Sequence, residues 1–128
     1  MAEEFLVTKE LTETKVEDGA KVLACLDRDG FPVQAAFWRF DFDARAWHFF
    51  IISPGVWSRI REAYRKMSEV MQELGIKELD YRLTDEREAR YREVHRNVTF
   101  FSKTPKEAPS SWPPLGIAMG EDLHVYRI

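Results

Sequence analysis

The stretch "VQAAFWRFDFDARAWHFFIIS", residues 33 to 53, places a run of aromatic and β-branched residues on each side of a short polar segment. Such runs are typical of β-strands, and the segment Asp43-Ala44-Arg45 is typical of a turn between two strands. The stretch therefore predicts an antiparallel hairpin. Both faces of this hairpin are rich in apolar side chains, so it needs cover on two sides, from its own helices and from a further segment or a second subunit.

The turn of the hairpin decides which side chains meet across the strands. A two-residue turn at Ala44-Arg45 places Asp41 opposite His48, and a four-residue turn also leaves these two side chains on one face. On the other face the two-residue turn pairs apolar residues, namely Phe42 with Trp47, Phe40 with Phe49, and Trp38 with Ile51. An acid beside a base is a candidate catalytic pair, and Arg39 on the same strand face is a candidate to bind an anionic group.

The segments around the hairpin carry helical patterns. Apolar residues at three- and four-residue steps predict one helix over about residues 18–29 and a second over about 57–74. Gly30 and Gly75 follow these segments, where a C-cap glycine is expected. Residues 76–83 predict a third strand, and the charged segment after it predicts a third helix.

This order of elements predicts a single α+β domain over residues 16–128. A mainly antiparallel sheet is built on the central aromatic hairpin, the first two helices pack on one of its faces, and the third helix packs at the sheet edge. Residues 1–15 are expected to form a mobile or loosely docked arm. Residues 103–114 hold four of the six prolines and predict a loop, in which Trp112 is a candidate to bind a ligand or to cover the hairpin.

Composition restricts the classes of function. The formal net charge is −3 and the pI is about 5.7, so the chain has no general cationic field for nucleic acid, and such a partner is unlikely. Cys25 is the single cysteine and the three histidines share no ligand spacing, so neither a metal site nor a cofactor is expected. The acidic N-terminus and the lack of a long apolar run predict a cytoplasmic protein without a membrane partner.

The segment "IISPGVWS", residues 51 to 58, raises the question of a nucleophilic serine. A nucleophile elbow has glycine two residues before and two residues after the serine, and Ile51 occupies the first of these positions before Ser53. Capping or turn formation at the following helix is therefore the favoured interpretation of Ser53. Anion binding by Ser53 and Gly55 at the helix N-terminus is the alternative.

Several segments together resemble a family of short, uncharacterised bacterial proteins. The resemblance is carried by "LDRDGFPVQAAFWRF", by "IISP" followed by a helix containing "REAYRKM", and by the terminal "GEDLHVYRI". It covers about residues 20–83 and the last nine residues. The shared motifs are aromatic and turn-forming, and no activity is assigned to that family, so the resemblance implies no functional residue.

Three functions remain open on these patterns. The first is a non-enzymatic cytoplasmic binding or accessory protein, acting as a homodimer or with an unidentified protein partner through the aromatic hairpin and the Pro-rich loop. The second is a small enzyme or anionic-ligand-binding domain that uses Asp41 and His48 with Arg39. The third is a nucleic-acid-associated protein that uses the arginine-rich helices, although interleaved acidic residues favour a solvated face instead.

Overall fold

The structure is a computed structural model, and it describes residues 11–101, 117–118 and 122–128. The Pro-rich loop with Trp112, and residues 1–10 of the predicted arm, lie outside the described residues. Within them the helices are α1 (Glu13–Arg28), α2 (Ile60–Leu74) and α3 (Ala89–Phe101), and a short 3-10 helix (Val56–Arg59) precedes α2. The strands are β1 (Ala35–Asp41), β2 (Ala46–Ile52), β3 (Tyr81–Thr84), β4 (Ile117–Ala118) and β5 (Leu123–Arg127).

The five strands form one mixed sheet in the order β3-β2-β1-β5-β4. All pairings between neighbours are antiparallel except that of β2 with β3, which is parallel. The parallel pairing arises because α2 lies between these two strands and returns the chain to the end of the sheet from which β2 began. The predicted α+β class is confirmed, the sheet is mixed, and β3 is an edge strand among the described strands.

The hairpin of β1 and β2 is present, and its turn has four residues instead of the two on which the cross-strand pairs were predicted. Asp41 pairs with Ala46, so residues 42–45 form a four-residue turn. The carboxylate of Asp41 explains the wider turn, because its Oδ1 accepts hydrogen bonds from the backbone N–H groups of Asp43 (2.9 Å) and Ala44 (3.2 Å). Arg45 closes the turn with a φ of 53°.

The change of turn shifts every cross-strand pair by two residues. Arg39 instead of Asp41 lies opposite His48, and Phe40 instead of Phe42 lies opposite Trp47. A shift by two residues leaves each side chain on its predicted face, because side chains alternate with a period of two. Asp41 and His48 therefore still share a face, as diagonal neighbours.

Helices cover both faces of the sheet. Trp38, Phe49 and Ile51 pack against α1 and α2, which is the predicted arrangement of the first two helices. On the other face, Tyr91 and Val94 of α3 pack with five buried residues of the sheet, Ala35, Phe37, Phe50, Ile52 and Val125. The prediction that helices occupy one face is thus incomplete, since α3 covers the second face rather than the sheet edge.

The helix boundaries follow local signals. Helix α1 begins at Glu13, five residues earlier than predicted, because Thr12 is its N-cap and accepts a hydrogen bond from the Lys15 N–H at 3.2 Å. The last residues of the predicted arm therefore belong to this helix. Helix α2 ends at Gly75, whose φ of 71° confirms the predicted glycine C-cap.

A buried tyrosine joins α1 to the sheet. The Tyr126 hydroxyl donates a hydrogen bond to the carbonyl oxygen of Val16 (2.5 Å) and accepts one from the Trp38 indole nitrogen (3.0 Å). Burial raises the pKa of Tyr126 well above its ordinary value, so the hydroxyl stays protonated and able to donate. Gly19 of α1 lies directly over this hydroxyl.

Candidate functional site

A groove of about 360 Å³ lies at the β3 edge of the sheet. Its polar lining comes from β1, β2, β3 and the start of α3, and consists of Asp41, His48, Arg82, Thr84, Glu88 and Arg90. Its apolar lining includes Trp57 from the 3-10 helix and Tyr64 from α2. Among the candidate site residues predicted from the sequence, Asp41 and His48 both line this groove.

His48 is one of two buried polar side chains that line this groove, together with Thr84. It is 8% exposed, and both of its ring nitrogens face charged groups of the protein. Its Nδ1 lies 3.8 Å from Oδ2 of Asp41, and its Nε2 lies 3.3 Å from both Oδ2 of Asp80 and Nη2 of Arg82. The parallel register of β2 with β3 creates this cluster, since Arg82 pairs with Phe50, two residues beyond His48.

Asp41 contributes to the turn and to the groove with different oxygen atoms. Its Oδ1 accepts the two turn hydrogen bonds, while its Oδ2 faces His48. The backbone N–H of Ala44 is the main cause that lowers the pKa of Asp41 below its ordinary value. The group is therefore a carboxylate at neutral pH, with one oxygen atom fixed by the turn.

The charges that line the groove are balanced. Arg82 binds Asp80 through Nη1 at 2.5 Å, and Arg90 binds Glu88 through Nη1 at 2.8 Å. The lining thus holds two guanidinium groups, from Arg82 and Arg90, and two carboxylates, from Asp41 and Glu88. A ligand with both hydrogen-bond donors and acceptors and no net charge suits such a lining better than a strong anion.

Two aromatic side chains form the outer walls. Trp57 is 50% exposed and Tyr64 is 46% exposed, and with Phe42 they are the large apolar side chains that stay exposed among the described residues. The Arg87 guanidinium is the main cause that lowers the pKa of Asp85, which directly follows β3, and the nearby Trp57 side chain adds to this effect. The Tyr64 ring lies 6.1 Å from the ring of Tyr81, the first residue of β3. The two rings therefore mark the two ends of this strand.

Other residues proposed from the sequence lie elsewhere. Arg39 faces Glu93 of α3 at 3.7 Å and does not line the groove. Ser53 is fully buried, and its hydroxyl donates to the carbonyl oxygen of Pro32 (2.6 Å) and accepts from Nη2 of Arg59 (2.9 Å).

Ser53 forms a turn and is not a side-chain helix cap. Its carbonyl oxygen accepts from the N–H of Val56, whereas the 3-10 helix has Gly55 as an N-cap without a side-chain bond. The φ of 67° at Gly55 explains the glycine there. Since the Ser53 hydroxyl is used inside the protein, its position is that of a structural residue.

Sequence reasoning missed Trp57, Tyr64 and Arg82 as groove residues. Trp57 and Tyr64 fit the apolar stripe of the second predicted helix, but Trp57 lies in the 3-10 helix, where the period of 3.6 residues does not apply. Because Arg82 alternates with the apolar residues of β3, the sequence indicated only that it lies on the opposite face of the strand from them. Only the pairing of β3 with β2 shows that this face is the one that carries His48.

Comparison with known protein families, with curated proteins and with solved structures finds no match to this chain. Across residues 11–101, 117–118 and 122–128, no helix is long and apolar enough to cross a membrane. The same residues contain no cluster of histidine, cysteine and carboxylate side chains that could hold a metal ion. The groove must therefore be interpreted from its own chemistry.

Proposed function

We propose that the chain is a non-enzymatic binding protein, located in the cytoplasm, whose ligand lies in the groove at the β3 edge. One observation carries the proposal: the half-exposed rings of Trp57 and Tyr64 stand beside a lining of fixed, balanced charges. Aromatic walls with a few placed polar groups are the usual composition of a ligand site. The hairpin contributes Asp41 and His48 to the polar lining of the groove.

Binding fits the geometry of His48 better than catalysis does. A general base needs a ring nitrogen within hydrogen-bond reach of the substrate proton. The Nε2 of His48 faces Asp80 and Arg82 instead, and the 3.8 Å between Nδ1 and Asp41 is too long for a hydrogen bond. An enzyme that uses this pair would first have to displace Arg82. Arg39, the expected anion-binding residue, lies beside Glu93 and away from the groove.

The nucleic-acid alternative has less support. The arginines at the start of α3 are paired with carboxylates, Arg87 with Asp85 at 2.7 Å and Arg90 with Glu88 at 2.8 Å. A phosphate backbone would have to compete with these carboxylates for the guanidinium groups. The homodimer stays a prediction, but its original reason no longer applies, because α3 covers the hairpin face that was expected to need a second subunit.

Neutral aromatic amides test this proposal. N-acetyl-phenylalanine amide and N-acetyl-tyrosine amide carry a ring, amide donors and amide acceptors without net charge. We expect their titration into ¹⁵N-labelled protein to shift the Trp57 indole N–H and the backbone amides of His48 and Arg82. Trp57→Ala should weaken binding about tenfold, because a lost aromatic contact and its buried area are worth about 1.4 kcal/mol.

Phe42→Ala is the matched control, since Phe42 is also an exposed aromatic residue but does not line the groove. It should leave the affinity unchanged. Shifts confined to residues outside the groove, or equal losses in the Phe42 and Trp57 variants, would contradict the proposal.

A further inference from the structure

Arg82 fixes the tautomer of the neutral His48 ring. A guanidinium group can only donate hydrogen bonds, so the 3.3 Å contact of Arg82 Nη2 with Nε2 of His48 requires a lone pair on Nε2. We therefore assign the proton of the neutral ring to Nδ1, which lies 3.8 Å from Oδ2 of Asp41. In this state the ring is uncharged and accepts a hydrogen bond from a charged group of the groove lining.

A second partner for Nε2 of His48 is already in place. Asp80 presents its Oδ2 at 3.3 Å from Nε2, the same distance as Nη2 of Arg82. A carboxylate can only accept hydrogen bonds, so Asp80 has no proton to share with a ring nitrogen that carries a lone pair. A proton on Nε2 reverses these roles, because Asp80 becomes the acceptor and the N–H of Arg82 then faces another N–H. One proton thus exchanges the partner of Nε2 without a movement of the ring.

Arg82 can respond to this exchange because its anchor is separate from its contact with His48. Its Nη1 binds Oδ1 of Asp80 at 2.5 Å and donates to the carbonyl oxygen of Tyr81 at 3.3 Å. The Arg82 side chain is half-exposed and lines the groove. Loss of the His48 acceptor therefore leaves Nη2 free to bind a ligand while Nη1 stays on Asp80. The ligand does not have to reach the buried ring, since Arg82 carries the change to the groove.

The charged groups around the ring come from β1, from β3 and from the start of α3, and α2 adds the Tyr64 ring to the groove. Arg39 is the cross-strand neighbour of His48, but its guanidinium faces Glu93 at 3.7 Å. Four of the groups are carboxylates and three are guanidinium groups, so one positive charge on the ring balances them. They are Asp41, Asp80, Glu88 and Glu93, and Arg39, Arg82 and Arg90.

We propose that protonation of His48 raises the affinity of the groove for ligands that carry a carboxylate. The inference rests on the proposed function and adds a regulation of the same site. With a neutral ring, Arg82 is held by His48 and the lining has two guanidinium groups and two carboxylates. With a protonated ring, the imidazolium donates to Asp80, Nη2 of Arg82 is free, and the lining has one more positive charge. A guanidinium with free N–H groups is a strong partner for a carboxylate.

The pH range of this regulation follows from the types of side chain in the lining. Histidine is the side chain that ordinarily changes its charge between about pH 5 and pH 8. Carboxylates ordinarily titrate near pH 4, and arginine stays charged throughout. Among the residues that line the groove, His48 is therefore the group whose charge changes in this range. The preference for an anion should be present at low pH and be lost as the pH rises.

A matched pair of ligands separates the effect of charge from that of all other contacts. N-acetylphenylalanine has a carboxyl group that titrates at about pH 3.5, so it is an anion at both pH 5.5 and pH 8. N-acetyl-phenylalanine amide has the same ring and acetyl group without the charge. Each ligand is titrated into the ¹⁵N-labelled full chain at both pH values. The ratio of the two affinities measures the preference of the groove for the anion.

The preference for the acid should be about tenfold greater at pH 5.5 than at pH 8, which is the order of the coupling between one charge and a neighbouring ligand. His48→Gln keeps polar atoms but cannot take up a proton, so its preference should not change with pH. His95→Gln is the matched control, because His95 is exposed on α3 and does not line the groove. It should keep the pH effect. Arg82→Gln should lose the preference for the acid at pH 5.5, since it lacks the freed Nη2.

Proton uptake gives a second readout that needs no variant. Coupling between two ligands is equal in both directions, so an anion that prefers the protonated ring must also promote its protonation. Calorimetric titrations at pH 6.5, in two buffers with different enthalpies of ionisation, should show that the acid binds with uptake of protons. The amide should bind without it.

Other outcomes overturn the inference. An equal preference at both pH values, without proton uptake, refutes the regulation and leaves the groove as a binding site if the amide binds. A pH effect that persists in His48→Gln, or that disappears in His95→Gln, assigns it to another group. A preference for the acid that is unchanged in Arg82→Gln refutes the release of Nη2. Failure of both ligands at both pH values removes the proposed function as well.

Discussion

Replacement of Gly19 by alanine measures how closely α1 approaches the sheet. Glycine inside a helix is about 1 kcal/mol less favourable than alanine, so helix propensity alone predicts a gain in stability. A Cβ atom at Gly19, however, would lie 2.6 Å from Oη of Tyr126 and 2.9 Å from Nε1 of Trp38. Both contacts are shorter than real Cβ contacts, so the Tyr126 ring has to move.

The cost of that movement exceeds the gain in propensity. The Tyr126 hydroxyl would leave the Val16 carbonyl oxygen and the Trp38 indole, and each of these hydrogen bonds is worth about 1 kcal/mol. Overpacking adds about 1 to 3 kcal/mol. We therefore expect Gly19→Ala to lower the free energy of unfolding by about 2 kcal/mol or more after the propensity gain is subtracted. Urea unfolding followed by tryptophan fluorescence measures this change as a lower midpoint at constant slope.

Tyr126→Phe is the control that locates the clash. It removes the oxygen atom nearest to the new Cβ, so the penalty of Gly19→Ala should shrink by at least about 1 kcal/mol in the Phe background. The same penalty in both backgrounds, or a stabilised Gly19→Ala protein, would refute the argument that the hydroxyl limits the approach of α1.

Two further predictions concern Ser53 and Asp41. Ser53→Ala should lower the free energy of unfolding, measured with urea, by about 1 to 3 kcal/mol, which is more than the loss of a surface cap. The reason is that the Pro32 carbonyl oxygen and an N–H of Arg59 are left without their partner. A decrease below about 0.5 kcal/mol would contradict this. The lowered pKa of Asp41 means that its contribution to stability is present above the unfolded value of about 4 and is lost as the pH falls through the lower folded value. Asp41→Asn should remove this pH dependence but keep an oxygen acceptor for the turn. Asp41→Ala should remove both the pH dependence and the acceptor. Urea midpoints at pH 7 and pH 3 measure the two effects.

The predictable part of the fold was the part that depends on local periodicity. The alternation of aromatic residues assigned each hairpin side chain to its face, and an error of two residues in register left that assignment intact. The register itself depends on the Asp41 carboxylate, whose hydrogen bonds to Asp43 and Ala44 hold a wider turn. Such a side-chain bond has no periodic signal in the sequence.

Long-range pairings account for what the sequence did not predict. The charged segment that forms α3 has weak apolar periodicity, so nothing local indicated that Tyr91 and Val94 would cover the second face of the sheet. In the same way, the pattern of β3 was recognised, but not its parallel pairing with β2. That pairing brings Arg82 to His48, and the groove cannot be derived without it.

The two oxygen atoms of Asp41 link the hairpin turn to the groove. With Oδ1 held by the N–H groups of Asp43 and Ala44, the carboxylate can present only Oδ2 to His48, which places a negative charge beside Nδ1. On the opposite side of the ring, Arg82 and Asp80 occupy the region around Nε2. The imidazole is therefore held between groups fixed by a turn and by a strand pairing, which suits a rigid lining for a bound ligand and leaves neither nitrogen directed at a substrate.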